Sequence, residues 1–152
     1  MFKNFLKKYL TETDLDLIAA RIGEAERTTS GEIRMSIRHR RHWNERNLPL
    51  HELAIKEFHR LQMHRTKDRT GVLILLLFHE RKFHIVADEG IQQKVDEGTW
   101  DSIAETMSAH FRQGNFRDGI CDAVGSVGAI LTTHFPGKAD DRDELPNNVD
   151  VG

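Results

Sequence analysis

The chain has 152 residues, a net charge of −2 and 30% charged residues. That length suits one domain with its own core, and near-neutral charge argues against an obligate nucleic-acid binder. The longest apolar run, Val72 to Phe78, has seven residues, far short of the roughly 20 needed to span a bilayer.

The elements follow from periodicity. In the first ten residues Phe2, Phe5, Leu6, Tyr9 and Leu10 fall at helical spacing among three lysines. This pattern suits either a membrane-surface helix or a helical turn packed on the domain. Thr13 is the expected N-cap of a helix from Asp14 to Thr28, with Leu15, Ile18, Ile22 and Ala25 as its stripe. Glu32 to Arg40 alternates, with Ile33, Met35 and Ile37 on one face, and reads as a strand with one buried face. His39 to Asn47 is a polar loop. Pro49 opens a helix expected to reach His64.

Gly71 to Phe78 is apolar throughout, as in a central strand covered on both faces. A tight turn near Glu80-Arg81 leads to its hairpin partner, Lys82 to Ala87. A short helical turn covers Ile91 to Val95. Trp100, Ile103, Met107 and Phe111 mark the next helix, which stops at Gly114. Phe116 starts the last helix, in which Gly125 and Gly128 allow close packing, and Pro136 ends it. From Gly137 on, five acidic residues outnumber two basic ones, the composition of a mobile tail.

The order α-β-α-β-β-α-α-α predicts a single-domain α/β/α sandwich with a mixed central sheet flanked by helices. The expected organisation is an N-terminal amphipathic extension over 1–12, the α/β domain over 13–136 and an acidic tail over 137–152. The lone cysteine, Cys121, has no partner for an internal disulfide. That permits a reducing compartment, and the N-terminus lacks a signal-peptide pattern. A cytoplasmic protein is expected, with peripheral membrane contact through residues 2–10 as the variant of that reading.

Two segments carry candidate chemistry. Asp88 and Glu89 stand where a strand stops and a helix starts, at a rim of the kind where α/β folds place ligands. Asp96 and Glu97 follow one short helix later, and Asp118 opens the last helix. Calcium takes six to eight oxygens from carboxylates, carbonyls and water, so Asp88, Glu89, Asp96 and Asp118 are the candidate metal ligands. The alternative is that Asp88 and Asp118 serve helix N-termini. In the second segment Arg38, Arg40 and Arg41 cluster around Trp43. Arginines beside an aromatic ring suit phosphate, anionic lipid or an acidic partner, and the alternative is a solvated loop. The nine histidines show no HExxH pattern, which speaks against a catalytic zinc site. Cys121 lacks the Cys-x5-Arg spacing of cysteine phosphatases.

Several junctions resemble the TPM-domain family: Ala25-Glu-Arg-Thr-Thr-Ser-Gly-Glu-Ile-Arg34, Thr70-Gly-Val-Leu-Ile-Leu-Leu-Leu-Phe78, Asp88-Glu-Gly-Ile91, Trp100, Gly114-Asn-Phe-Arg-Asp-Gly-Ile120, and His134-Phe-Pro136 with Glu144-Leu-Pro-Asn147. The resemblance runs from about residue 13 to 147, and points to the small bacterial subgroup without signal peptide or membrane anchor. It implies an α/β/α sandwich and binding of calcium or another divalent cation such as magnesium. In some plant members it implies acid phosphatase activity. This chain departs from the pattern at Ala87, where the subgroup usually has glycine. It also has Ala-Asp-Glu-Gly-Ile-Gln where anchored relatives carry a Gly-Tyr-Gly-Leu-Glu-Gly type of segment. Of the proposed ligands, only Asp88 and Glu89 are carried over by resemblance.

Three functions are consistent with these residues. The first is a non-enzymatic divalent-cation-binding module that tunes contact with a protein partner or a membrane surface. The second is a metal-dependent acid phosphatase acting on phosphomonoesters. The third is a metal-independent interaction module using the Arg/Trp loop. No nucleic-acid partner is expected from any of them.

Overall fold

The computed structural model describes residues 4–137 and 149–152. Helix α1 spans Glu12–Glu26 and starts two residues earlier than the sequence suggests. Thr11, not Thr13, is its N-cap, because Thr11 and Asp14 form a reciprocal capping box. The Thr11 hydroxyl accepts from the Asp14 N–H at 3.0 Å, and Asp14 accepts from the Thr11 N–H at 2.9 Å. Two otherwise orphaned amide donors are satisfied at once.

Strands β1 (Glu32–Arg38) and β2 (Gly71–Leu77) pair in parallel, Glu32 with Gly71 through to Arg38 with Leu77. A hairpin brings β3 (Lys82–Ala87) back antiparallel to β2. Strand β4, Asp150–Val151, adds in parallel to the other side of β1. The sheet order is β3-β2-β1-β4. The expected mixed sheet is therefore present, with one strand more than the sequence indicates. Of the acidic segment from residue 137 on, residues 138–148 lie outside the described part. Its end is tied into the sheet, and Arg60 pairs with Asp150 at 2.6 Å.

Helix α2 (Leu50–Arg60) covers one face of the sheet, packing Leu53, Ala54 and Phe58 on Leu73, Leu75, Leu77 and Val86. It ends before the expected His64, because Gln62 takes a left-handed conformation (φ 59°) and a 3-10 turn, Met63–Arg65, follows. The other face carries α1, α4 (Glu97–Arg112) and α5 (Phe116–His134) over Ile33, Met35, Ile37, Val72, Ile74 and Leu76. A short α3, Glu89–Gln92, links β3 to α4.

Covering both faces changes the reading of β1. Its polar side, expected to face solvent, lies beneath α2, so Ser36 and Arg38 are buried. Of the two glycines expected to bring α5 close to a neighbour, only Gly128 does so. A Cβ there would stand 2.7 Å from that of Ala25 in α1, whereas Gly125 faces open space. The N-terminal residues pack on the domain: Leu6 and Leu10 are buried and Tyr9 stacks on Phe78 with ring centroids 4.4 Å apart. Phe2 lies outside the described residues. Among the described residues, no helix is long and apolar enough to cross a membrane.

Candidate functional site

The direction of the hairpin separates the two candidate segments. Because β3 runs antiparallel, its end lies beside the start of β2, and the Asp88 N–H bonds the Gly71 carbonyl at 2.9 Å. Asp88 therefore sits at the amino edge of the parallel pair. The carboxyl edge, where parallel α/β sheets usually hold ligands, carries Arg38 to Arg41 and Phe78 to Lys82 instead.

At the amino edge Asp88 caps α3, accepting from the Glu89 N–H at 2.8 Å. The fork of Arg69 grips the same carboxylate, Nε to Oδ2 at 3.0 Å and Nη2 to Oδ1 at 3.3 Å. Arg69 holds its own backbone in the left-handed region (φ 57°) while doing so. The ion pair with Asp88 raises the arginine's pKa further. Asp88 is buried, Arg69 is half exposed, and the exposed Glu89 lies 3.7 Å from another guanidinium nitrogen. The remaining predicted ligands lie elsewhere. Asp96 occupies the N-cap position of α4 and lines a cavity with His51 and Trp100. Asp118 pairs with Arg117 in the first turn of α5, whose first residue, Phe116, packs near Phe78 at the carboxyl edge. Among the described residues, no three His, Cys, Asp or Glu side chains converge on a point where a metal would be held. In this arrangement the Arg69 guanidinium stands on the Asp88 carboxylate, the oxygens a divalent cation would also use.

At the carboxyl edge the four predicted partner-binding residues divide in two. Arg38 is 2% exposed and pairs with Glu45 at 2.6 Å and Glu57 at 3.8 Å. Glu45 also takes Lys56 at 3.0 Å and the His42 N–H at 2.8 Å. Burial pushes the Glu45 carboxyl up, but hydrogen bonds from Arg38, the His42 backbone and Lys56 outweigh it and bring the pKa down to about 2. Arg41 pairs with Glu80 at 2.6 Å and donates to the carbonyls of Glu45 and Leu48. These two arginines build the loop. Arg40 and Trp43 are the outward pair, and Trp43, in the 3-10 turn Trp43–Glu45, is 82% exposed.

Glu45 and Glu57 were not among the residues singled out from the sequence. Glu57 did leave a signal: it interrupts the apolar stripe of α2 at a position that must face the sheet. It accepts from the Ser36 hydroxyl at 2.8 Å and from Arg60 at 2.7 Å. Burial pushes its carboxyl up, but bonds from Arg60 and Ser36 prevail and its pKa is lowered. Two further groups bear on catalysis. Burial raises the Cys121 thiol, the opposite of what a nucleophilic cysteine needs. His51 and His84 contact each other through ring nitrogens 2.9 Å apart, and burial lowers His84.

The sequence and this architecture agree with one family, and the TPM domain family model matches residues 4–130. The chain belongs to the TPM-domain family. This TPM domain is similar to the NMR structure of BA42 protein from the psychrophilic bacterium Bizionia argentinensis. The two are 35% identical over 95% of this chain and 96% of that one, with a TM-score of 0.84. It shares its fold with the N-terminal domain of a protein from P. gingivalis (20% identity, 83% and 78% of the chains, TM-score 0.68). It also shares it with the N-terminal domain of the cg2496 protein from Corynebacterium glutamicum (10% identity, 89% and 81%, TM-score 0.61). Among curated proteins, none matches the chain. The α/β sandwich read from the residues is thus the fold of a TPM domain.

Proposed function

We propose that this TPM domain is a non-enzymatic binding module that docks an acidic protein surface through the Trp43 loop. The observation that carries this reading is an 82% exposed tryptophan mounted on a rigid, charge-satisfied frame. A bare indole on a flexible loop would be an accident of exposure. Here Arg38, Glu45, Arg41 and Glu80 fix the loop from beneath, so its ordering cost is met before a partner arrives. Tryptophan and arginine are the residues that most often carry interface energy.

The charge balance fits an acidic partner. Glu45 and Glu80 are neutralised by Arg38, Lys56 and Arg41. Arg40, Arg46, Arg81 and Lys82 remain exposed along the same edge, making it locally positive on a chain whose net charge is negative. Trp43→Ser should leave unfolding free energy within about 0.5 kcal/mol of the parent, because the ring buries little. It should weaken a co-purifying protein partner at least tenfold in a purified binding assay, as should Arg40→Ala/Arg46→Ala, while Asp88→Ala binds normally. Unchanged partner affinity in Trp43→Ser, or flotation with anionic vesicles in place of protein binding, would count against this reading.

A divalent cation at the Asp88 rim is the second reading, supported by the family resemblance and by one local fact. The buried Asp88 carboxylate already holds a cation, the Arg69 guanidinium, whose side chain is half exposed and has room to withdraw. Asp88 and Glu89 would then be left as oxygen donors. Calcium should accordingly compete with an arginine. In an amide NMR titration, Arg69→Gln should respond at Asp88 and Glu89 at a calcium concentration at least tenfold lower than the parent does. Equal silence in both proteins at millimolar calcium would remove the cation from the account, and a parallel magnesium series would separate the two ions.

A further inference from the structure

A second feature of the carboxyl edge is an aromatic cavity that shares only Arg81 with the surface proposed around Trp43. Where β2 ends, a cavity of about 470 Å³ that opens to solvent has five aromatic residues in its lining: Tyr9, Phe78, Phe83, Phe111 and Phe116. The rings hold one another in place. Tyr9 stacks on Phe78 at 4.4 Å, Phe83 meets Phe111 edge-on at 4.5 Å, and Phe111 meets Phe116 at 5.1 Å. The volume lies within the range of small-molecule sites, which combine apolar walls with a few polar groups.

Here the polar groups are Arg81, Arg112 and Ser108. Neither arginine has a carboxylate partner among the described residues, although most of the buried and half-buried acids near this edge are paired. Arg81 also stands at φ 53° in the hairpin turn, where its N–H bonds the Phe78 carbonyl at 3.0 Å. Glycine or asparagine would occupy that conformation with less strain. The chain instead keeps a long cation there, at the wall of an aromatic cavity. Backbone strain retained beside a cavity is a reason to look for a ligand, and the two unpaired guanidinium groups state its charge.

We propose that this cavity binds a small aromatic carboxylate. Its ring would lie against the face that this aromatic cluster presents to the cavity, where edge and face contacts favour a flat π-system over a flexible chain. Its carboxylate would be taken by Arg81 and Arg112, whose planar forks match that group. A body of one or two fused rings suits the volume.

The test uses naphthalene-2-carboxylate as probe, followed by amide NMR of the full chain. Saturable shifts are expected at Phe78, Phe83, Phe111 and Phe116. The neutral 2-naphthalenemethanol should bind at least tenfold more weakly. Arg81→Gly/Arg112→Gln should lose at least tenfold in affinity for the carboxylate. Arg81→Gly relaxes the turn and Arg112 is exposed on α4, so this variant keeps its fold, and an unshifted parent-like spectrum without probe verifies it. The proposal is overturned by the absence of saturable shifts at millimolar probe, by equal affinity in the double variant, or by octanoate binding as tightly as the aromatic acid.

Discussion

Arg38→Ala should lower the unfolding free energy by about 3–5 kcal/mol, the usual penalty for stripping one partner from a buried ion pair. The guanidinium lies between Glu45 and Glu57, and all three groups are nearly inaccessible to solvent. Its removal leaves two carboxylates beneath α2, with Lys56 and Arg60 reaching them only from outside. Pairing the change with Glu45→Gln should recover part of the loss, because a neutral amide is cheaper to bury than an unpaired anion. Urea denaturation of the two single variants and the double variant measures this coupling directly. A cost below about 1 kcal/mol in Arg38→Ala would mean that water reaches the carboxylates and the frame is not rigid.

The same group sets an acid limit. The folded Glu45 carboxyl lies at about 2, below its ordinary 4.5. A depressed carboxyl pKa stabilises the fold fully above the unfolded value, and that contribution fades as pH falls from about 4.5 toward 2. The stability difference between the parent and Glu45→Gln should therefore be largest near neutrality and shrink across that window. The loop amides around His42 should exchange faster in Arg38→Ala, because the carboxylate that takes the His42 N–H is one of those left without the arginine. This links the frame to function: the exposed indole is useful to a partner only while the carboxylates below it stay paired.

Much of the sandwich was legible because burial imposes a period. Val72 to Leu77 has no polar face because two helical layers cover it, and Lys82 to Ala87 has the bounds expected of it. The strand β4 was not legible. A pair of residues, Asp150 and Val151, has no internal pattern, and only the free edge of β1 makes it a strand. The N-cap of α1 was misplaced because Thr11 and Thr13 are both good caps and each has an aspartate three residues on, Asp14 and Asp16, so spacing alone does not choose between them; the structure forms the box at Thr11. The candidate sites were legible as residue types but not as orientations. Arg38 read as a surface cation because a strand's polar side normally meets water, and Arg41 because it stands in a polar loop, whereas Arg38 meets Glu45 and Glu57 and Arg41 meets Glu80. Asp88 read as a ligand-edge residue because a strand ends there, but the hairpin reverses that strand and carries its end to the opposite edge.

Gly90→Ala should cost about 2–4 kcal/mol, combining overpacking with disturbance of the pair beside it. An added Cβ would lie 2.4 Å from the Asp68 carbonyl oxygen and 2.6 Å from that of Arg69. Both are backbone atoms, so no side-chain rotation relieves the clash, and the β3–α3 junction must move away from the 68–69 turn. That turn is where Arg69, already at positive φ, reaches back to grip Asp88. Separating the two segments lengthens the fork and breaks the bond from the Gly90 N–H to the Arg69 carbonyl, which is 3.0 Å in the parent. Gly125→Ala is the matched control: it sits in the middle of α5 with open space around it, and should stabilise by about 0.5–1 kcal/mol through helix propensity. Thermal or urea unfolding of the two variants therefore separates a glycine required by close approach from one that is merely tolerated. If Gly90→Ala unfolds like the parent, the 68–69 turn is loose enough for Arg69 to leave Asp88 at little cost, and the cation reading of this rim gains. A large loss makes the Asp88–Glu89–Gly90 segment first a structural clasp between β3 and the turn before β2, whose glycine is required by the closeness of the backbone rather than by a ligand.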